Sequence, residues 1–124
     1  MRAKDRTGLI GEELAADHLR RAGHHVMEQR WRCRRGELDL ITFDEDVLVA
    51  VEVKTRRGRG YGHPAESISP EKLRRLHLLL ADYAVHSGAG RRRRRVDVVS
   101  VILGPAGAEH HGAPVIDHLE DVRR

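Results

Sequence analysis

The chain has 124 residues, of which 40% are hydrophobic and 34% charged, a size and balance typical of one globular domain with no room for a second. No apolar run approaches the ~20 residues of a membrane span, and the polar residues 1–6 lead into no apolar signal segment. We therefore expect a cytoplasmic protein without membrane contact. The single cysteine excludes an internal disulfide and a cysteine-built zinc finger.

Arginine supplies all but three of the 23 basic residues, and the formal net charge is +4. Arginine favours planar, bidentate contacts with phosphates. One charge run is typical of a solvated surface, but here three arginine clusters, at 30–35, 56–59 and 91–95, surround a compact acidic motif. We therefore expect a polyanionic partner such as nucleic acid. The residues predicted to contact its backbone are Arg34, Arg35, Arg56 and Arg57.

The first predicted element is a helix over residues 7–22, where small and apolar residues recur at helical spacing and Gly23 provides a stop. At ~100° per residue, Glu12 falls at the margin of the packed face of this helix, whereas Glu13 lies nearly opposite that face. Glu12 is therefore the glutamate that can reach a site beside the helix.

Three strands are predicted next, an edge or early strand over residues 24–31 and two more over 37–43 and 47–55. Turns at 34–36 and 44–46 connect them, the second forming a hairpin.

The second half of the chain begins with a predicted loop over 56–63. A second helix follows, with Ser69 as N-cap and Pro70 in the first turn, and it ends at Gly88. A strand over 96–103, a loop over 104–114 and a short last strand over 115–119 complete the chain. The order α-β-β-β-α-β, with this short last strand, predicts an α/β mixed sheet flanked by helices. It would form one domain over 1–124, with its core at about 7–103 and a tail at 104–124.

The third predicted strand carries Glu52 and Lys54 on one face and only valine on the other. Charged groups in a buried strand are costly unless they are paired. If the preceding turn has residues 45–46 as its two central residues, Asp39 lies opposite Glu52 on the same face. A three-residue turn would instead pair Asp39 with Val51 and need a bulge to bring the acids together. Both registers are open at this point.

Two carboxylates this close repel each other unless they share a cation, and oxygen ligands suit Mg²⁺ or Mn²⁺. A metal there can bind a scissile phosphate oxygen and lower the pKa of a bound water. Lys54 would orient that water, or act as base if its pKa falls, and Glu12 would be a further metal or water contact. The alternative is a surface Glu52–Lys54 pair on an edge strand, with Asp39 capping a turn.

Several stretches resemble the small bacterial YraN family: GLIGEELA at 8–15, WRCRRGELDLI at 31–41, VEVKTR at 51–56, and the spacing to RVDVV at 95–99. The resemblance covers roughly residues 7–103. That family is in turn similar to the PD-(D/E)XK nuclease superfamily, near the archaeal Holliday-junction resolvases.

The resemblance implies a restriction-endonuclease-like core and a set of site residues. Asp39 matches the first metal acid, Glu52 the second, and Lys54 the lysine of the E-x-K motif. Glu12 matches the glutamate of G-E-x-x-A in the first helix, in agreement with the helical-wheel argument. The chain departs from the pattern at Leu38, which stands where the superfamily has proline and which is not a ligand.

We therefore expect a Mg²⁺- or Mn²⁺-dependent endonuclease that hydrolyses phosphodiester bonds in structured or branched nucleic acid. The predicted catalytic residues are Asp39, Glu52, Lys54 and Glu12, and the three acids of this set are the predicted metal ligands. Because one small domain carries one active site, cutting two strands favours a homodimer. The alternative is a non-catalytic nucleic-acid-binding or scaffolding module on the same fold.

Three further features are assigned structural roles. The nine histidines include no H-x-x-x-H on a helix, and the pairs 24–25 and 110–111 point apart on a strand, so we expect surface histidines rather than a metal site. Asp97, within a run of valines, is expected to form structural hydrogen bonds. Lys72 is expected on a solvated helix face.

Overall fold

The computed structural model describes residues 3–58, 68–104 and 113–123. The predicted order of elements is confirmed. Most of the loops predicted at 56–63 and 104–114 lies outside the described residues, and Arg56 and Arg57 belong to a strand instead of a loop. The elements are α1 (Ala3–Arg21), β1 (His25–Cys33), β2 (Gly36–Asp44), β3 (Val47–Arg57), α2 (Pro70–Ser87), β4 (Arg94–Leu103) and β5 (Val115–Leu119).

The five strands form one mixed sheet in the order β1-β2-β3-β4-β5. Neighbouring strands are antiparallel except β3 and β4, which are parallel and are connected through α2. β1 is an edge strand, as predicted. This mixed α/β architecture is consistent with the restriction-endonuclease-like core that the resemblance implies.

The two helices cover opposite faces of the sheet, as the side chains of β3 show. Leu48 and Ala50 pack in one buried cluster with the leucines of α2, while Val49 and Val51 pack in another with Leu19 of α1. Because side chains alternate along a strand, the next even position after Ala50 also faces α2. The fold therefore directs Glu52 towards the start of the second helix.

Both helices begin and end close to their predicted limits. Ser69 Oγ accepts a hydrogen bond of 3.0 Å from the Lys72 backbone N–H, and Gly88 ends α2 in the left-handed conformation with φ 81°. α1 starts four residues earlier than predicted, with Asp5 in its first turn, where a negative charge favours the helix dipole. Within the described residues, neither helix is apolar enough over its length to cross a membrane.

The β2–β3 hairpin settles the register that the sequence left open. Asp44 pairs with Val47, so the turn has two central residues, and the ladder continues to Leu40 opposite Val51. The next step of this register sets Asp39 opposite Glu52. The two-residue turn is therefore confirmed, and no bulge is needed to bring the acids together.

Candidate functional site

An open pocket of about 520 Å³ lies beside the C-terminal half of β3. Strands β2 and β3 and both helices contribute to its walls. The structure brings together here all four residues predicted to be catalytic, and two of the four predicted backbone-binding arginines. The lining includes Glu12, Asp39, Glu52, Lys54, Arg56, Arg57 and Lys72.

Asp39 is held in the pocket by the neighbouring strand. The Val53 backbone N–H donates a hydrogen bond of 2.9 Å to Asp39 Oδ2. Burial and the adjacent negative charge of Glu52 raise the pKa of Asp39 to about 8, although the Val53 N–H acts in the opposite direction. Asp39 therefore keeps its proton at neutral pH, whereas a cation bound beside it would favour its ionised form.

Glu52 is buried and its carboxylate contacts two lysines. Lys72 Nζ lies 2.6 Å from Glu52 Oε2, and Lys54 Nζ lies 3.7 Å from the same oxygen. Lys72 is partly solvated, with its side chain 41% exposed, but its contact with Glu52 was not predicted. Its position in the first turn of α2, packed over the face of β3 that carries Glu52, was not visible in the sequence pattern.

Glu12 is buried on α1 while its neighbour Glu13 is exposed, as the helical-wheel argument predicts. The helix can approach β3 this closely because Gly11, the residue before Glu12, has no side chain. A Cβ built on Gly11 would lie only 1.8 Å from Thr55 Oγ1. A larger residue at this position would push the helix, and Glu12 with it, away from the strand.

Arg30 pairs with Glu12 and has an unusual backbone. Its Nε donates hydrogen bonds of 2.9 and 3.3 Å to the two carboxylate oxygens of Glu12. Its φ of 57° lies in the left-handed region, in the middle of β1, where the flanking register sets it opposite Asp39. Such a conformation costs of order 1–3 kcal/mol and is common at functional sites.

The three predicted metal acids are close but not equally available. Among the described residues, Glu12, Asp39 and Glu52 do not form a group of three whose ligand atoms all lie within 4.8 Å of one another. Asp39 and Glu52 are neighbours in the sheet, whereas the Glu12 carboxylate points to Arg30. Direct contact of Glu12 with a shared ion would require this ion pair to open.

The predicted backbone-binding arginines fall into two groups. Arg57 and Arg56 line the carboxylate pocket, and Arg57 also donates hydrogen bonds to Thr7 Oγ1 at 3.2 Å and to the carbonyl oxygen of Gly104 at 3.1 Å. Arg34 and Arg35 form the β1–β2 turn and line a separate pocket beside the C-terminal end of α2. The four arginines therefore do not form a single patch.

The last arginine of the 91–95 run is part of a buried network. Arg95 donates hydrogen bonds to Asp97 and Asp44, and Asp97 also accepts hydrogen bonds from His118 and from the Asp121 backbone N–H. Burial raises the pKa of Asp97, but these hydrogen bonds outweigh burial and the pKa is lowered. Asp97 thus forms the structural hydrogen bonds that we predicted for it.

His24 lies beside the network of Arg95 and Asp97. We expected the histidines to lie on the surface, and for His24 this expectation is wrong. Its side chain is buried, and burial lowers its pKa. The sequence signal was weak because a pair of adjacent histidines after a helix stop resembles a solvated strand start.

The fold and the pocket together define a small α/β protein with an acid–acid–lysine site between its two helices. A family model described as "Uncharacterised protein family UPF0102" matches residues 11–101, and the chain belongs to this family. The matched segment includes Glu12, Asp39, Glu52 and Lys54. Membership of a small bacterial family, as the resemblance predicts, is confirmed.

Relatives within the family match the chain along most of its length. A UPF0102 protein of Pseudarthrobacter chlorophenolicus is 43% identical over 122 residues, covering 98% of this chain and 89% of the relative. Another, from Renibacterium salmoninarum, is 45% identical over 119 residues, covering 96% and 97% of the two chains. A third, from Paenarthrobacter aurescens, is 48% identical over 102 residues, covering 82% and 84%.

Proposed function

We propose that the protein is a metal-dependent endonuclease of the PD-(D/E)XK type that hydrolyses phosphodiester bonds in structured or branched DNA. The observation that carries this proposal is the meeting of Asp39, Glu52 and Lys54 in one pocket, with the two carboxylates on adjacent strands. Cutting both strands of a branched substrate would require two such sites, and hence a homodimer.

The donor set of the pocket fits a hard divalent cation, Mg²⁺ or Mn²⁺. Asp39 and Glu52 would hold the ion, and Glu12 would join them through a water or after release from Arg30. A bound cation would favour the ionised form of Asp39, whose pKa burial and the charge of Glu52 raise to about 8. When bound, the ion supplies electrostatic stabilisation of charge that develops on the phosphate oxygens.

The basic side chains of the pocket have separate roles in this proposal. Lys54 donates hydrogen bonds to the attacking water and to the developing charge on the phosphate, from a position 3.7 Å from Glu52. Arg56 and Lys72 contact the phosphates that flank the scissile bond. Arg34 lies on the β1–β2 turn, which is about 10 Å from Asp39 along β2. It would contact a more distant part of a long substrate.

The test is cleavage of fluorescently labelled four-way junction, flap and duplex DNA in the presence of Mg²⁺ or Mn²⁺. We expect the wild-type protein to cut a branched substrate, and Asp39→Asn and Lys54→Ala each to lower the rate about 10²-fold or more. Asp46→Asn, in the exposed hairpin turn, is the matched control and should cut like the wild type. Equal rates in wild type and Asp39→Asn would contradict the proposal.

A second candidate function is a non-catalytic nucleic-acid-binding module. Two ion pairs favour it, because Lys72 neutralises Glu52 and Arg30 neutralises Glu12 without a metal. This candidate keeps at most a residual, non-catalytic metal site, and it predicts DNA binding that weakens steeply with salt and no cleavage with either metal. A calorimetric Mn²⁺ signal that is lost in Asp39→Asn/Glu52→Gln would assign a metal to the two acids, and cleavage by the wild type then separates the endonuclease from this candidate.

A further inference from the structure

A second group of metal-ligating side chains lies past the C-terminal end of α1. His24, Asp97 and His118 each offer a ligand atom, and these atoms all lie within 4.8 Å of one another. The group is distinct from the carboxylate pocket, because α1 extends about 13 Å from Glu12 to its end at Arg21. Three separate segments meet here: the α1–β1 junction, β4 and β5.

The donor set of this group differs in kind from that of the carboxylate pocket. Two imidazoles with carboxylate oxygens are the ligands of Zn²⁺ and its neighbours in the first transition row, whereas Mg²⁺ prefers oxygen alone. His118 Nε2 lies 2.8 Å from Asp97 Oδ2. Two ligand atoms bound to one tetrahedral ion at ~2.0–2.1 Å stand roughly 3.3 Å apart, so these two atoms would have to separate by about half an ångström to admit the ion.

The His24 ring is oriented by its neighbours. Its Nδ1 shares a hydrogen bond of 2.8 Å with Thr42 Oγ1, and both side chains are buried. This leaves the other nitrogen, Nε2, facing Asp44 Oδ2 at 3.8 Å. A hydrogen bond on the far ring nitrogen is the usual way in which a metal-binding histidine is held in the correct tautomer and orientation. Asp44 lies beside the group but is not one of the three residues whose ligand atoms all lie within 4.8 Å of one another.

The charges of the group leave room for a divalent cation. Asp97 is fully buried and Asp44 is partly buried, so two carboxylates share the site. Arg95 bridges them, with Nη2 2.8 Å from Asp44 Oδ2 and 3.2 Å from Asp97 Oδ2, and with Nε 2.9 Å from Asp97 Oδ1. An ion that binds Asp97 Oδ2 therefore has to displace Nη2 from that oxygen. With neutral imidazoles, one negative charge remains after Arg95 is counted. Asp44, with its side chain 29% exposed, provides the route by which an ion enters.

We propose that His24, Asp97 and His118 bind a divalent transition-metal ion, Zn²⁺ fitting best. The site is structural in this proposal, because its three ligands come from three separate segments that the ion would join, and His24 and Asp97 are buried. The ion ties β5, a five-residue edge strand, to β4 and to the end of α1. It is independent of the proposed endonuclease site.

The test uses the full chain with Asp39→Asn and Glu52→Gln, which removes the carboxylate pocket as a competing site. After EDTA treatment and dialysis, Zn²⁺ is titrated calorimetrically at neutral pH, and Co²⁺ is added as a spectroscopic probe of tetrahedral coordination. We expect one bound equivalent per chain, the visible absorption of tetrahedral Co²⁺, and a higher thermal unfolding midpoint with Zn²⁺.

Variants of this protein separate the proposed site from nonspecific histidine binding. His118→Ala should abolish Zn²⁺ binding and the rise in the thermal unfolding midpoint. Circular dichroism verifies that this variant is folded, and His24→Gln is a second variant that removes a ligand. Thr42→Val keeps every ligand and should weaken binding about 10- to 100-fold. The matched control replaces His110 and His111, which lie outside the described residues, and should bind like its parent.

Two results would overturn the proposal. One is absence of Zn²⁺ binding by the Asp39→Asn/Glu52→Gln protein. In that case Arg95 is the cation that pairs with Asp44 and Asp97. The other is binding that survives His118→Ala unchanged. Neither result bears on DNA cleavage, so the two proposals stand or fall separately.

Discussion

Lys72 Nζ lies 2.6 Å from Glu52 Oε2, closer than Lys54, whose Nζ is 3.7 Å from the same oxygen. The nearest cation to one of the two central acids thus comes from α2 and not from the strand that carries the E-x-K motif. A divalent cation that binds Glu52 has to compete with this ammonium group.

Removal of the Lys72 charge should therefore strengthen metal binding. The Lys72 side chain is 41% exposed, so its pair with Glu52 contributes about 1 kcal/mol at most. We expect Lys72→Ala to raise the Mn²⁺ affinity up to about fivefold in a calorimetric titration. Lys72→Arg, which keeps the charge, is the control and should bind like the wild type. An unchanged or weaker affinity in Lys72→Ala would show that the lysine does not compete.

Metal-free protein should lose stability as the pH rises towards 8, because of Asp39. With its pKa raised to about 8, native Asp39 keeps a proton that an unfolded Asp, with a pKa of ~3.9, has released. Unfolding then releases a proton, so the free energy of unfolding falls with pH over that interval, by up to ~1.4 kcal/mol per unit. Asp39→Asn should remove this slope and be more stable than the wild type at about pH 8.

Urea unfolding in EDTA at several pH values measures this difference. His24 has the opposite effect, because its pKa is lowered in the native protein and the unfolded chain therefore binds more protons. The free energy of unfolding contributed by His24 rises with pH. Since both proteins contain His24, the difference between their curves isolates Asp39. Parallel curves for the two proteins would rule out a raised Asp39 pKa.

The close approach of α1 to β3 can be tested at two glycines of the same helix. A Cβ on Gly11 would lie 1.8 Å from Thr55 Oγ1, whereas a Cβ on Gly8 meets nothing within 4 Å. We expect Gly11→Ala to lower the free energy of unfolding by about 1–3 kcal/mol or more. Gly8→Ala should leave it unchanged or raise it by up to ~1 kcal/mol, because alanine favours helix. Equal effects in urea unfolding would contradict the contact.

The left-handed backbone of Arg30 makes a separate prediction about stability. Arg30→Gly and Arg30→Ala both remove the ion pair with Glu12, so the difference between them reports on φ alone. Glycine adopts φ 57° without the Cβ clash, and we expect Arg30→Gly to be about 1 kcal/mol more stable than Arg30→Ala. In an ordinary strand the order would be reversed, and that order would show that the conformation is not retained.

Local sequence signals were sufficient for the elements and for part of the site. Ser69 and Gly88 delimit α2 through side-chain and backbone capping, which depends on a few neighbouring residues. The position of Glu12 on the packed face follows from helical periodicity alone. The pairing of Asp39 with Glu52 follows once the hairpin turn is known to have two central residues.

The remaining features depend on how separate elements pack, and no local pattern specifies that. Lys72 reaches Glu52 only because α2 crosses the face of β3 that carries it. His24, Asp97 and His118 come from three segments far apart in the chain. Clustering in the sequence was also misleading for Arg95, whose guanidinium is directed inward to Asp97 while the rest of the run looked like one basic surface.

The two-residue turn at Glu45 and Asp46 has a consequence for the evolution of the family. Asp39 lies about 20 Å along β2 from that turn, yet the turn length decides which residue of β3 it faces. If the turn kept two central residues, one inserted residue would pair Asp44 with Asp46 and set Asp39 against Val51, although every acid would still be in the chain. Among relatives that retain the site, we therefore expect insertions and deletions to be absent from this turn, although it contacts no part of the pocket.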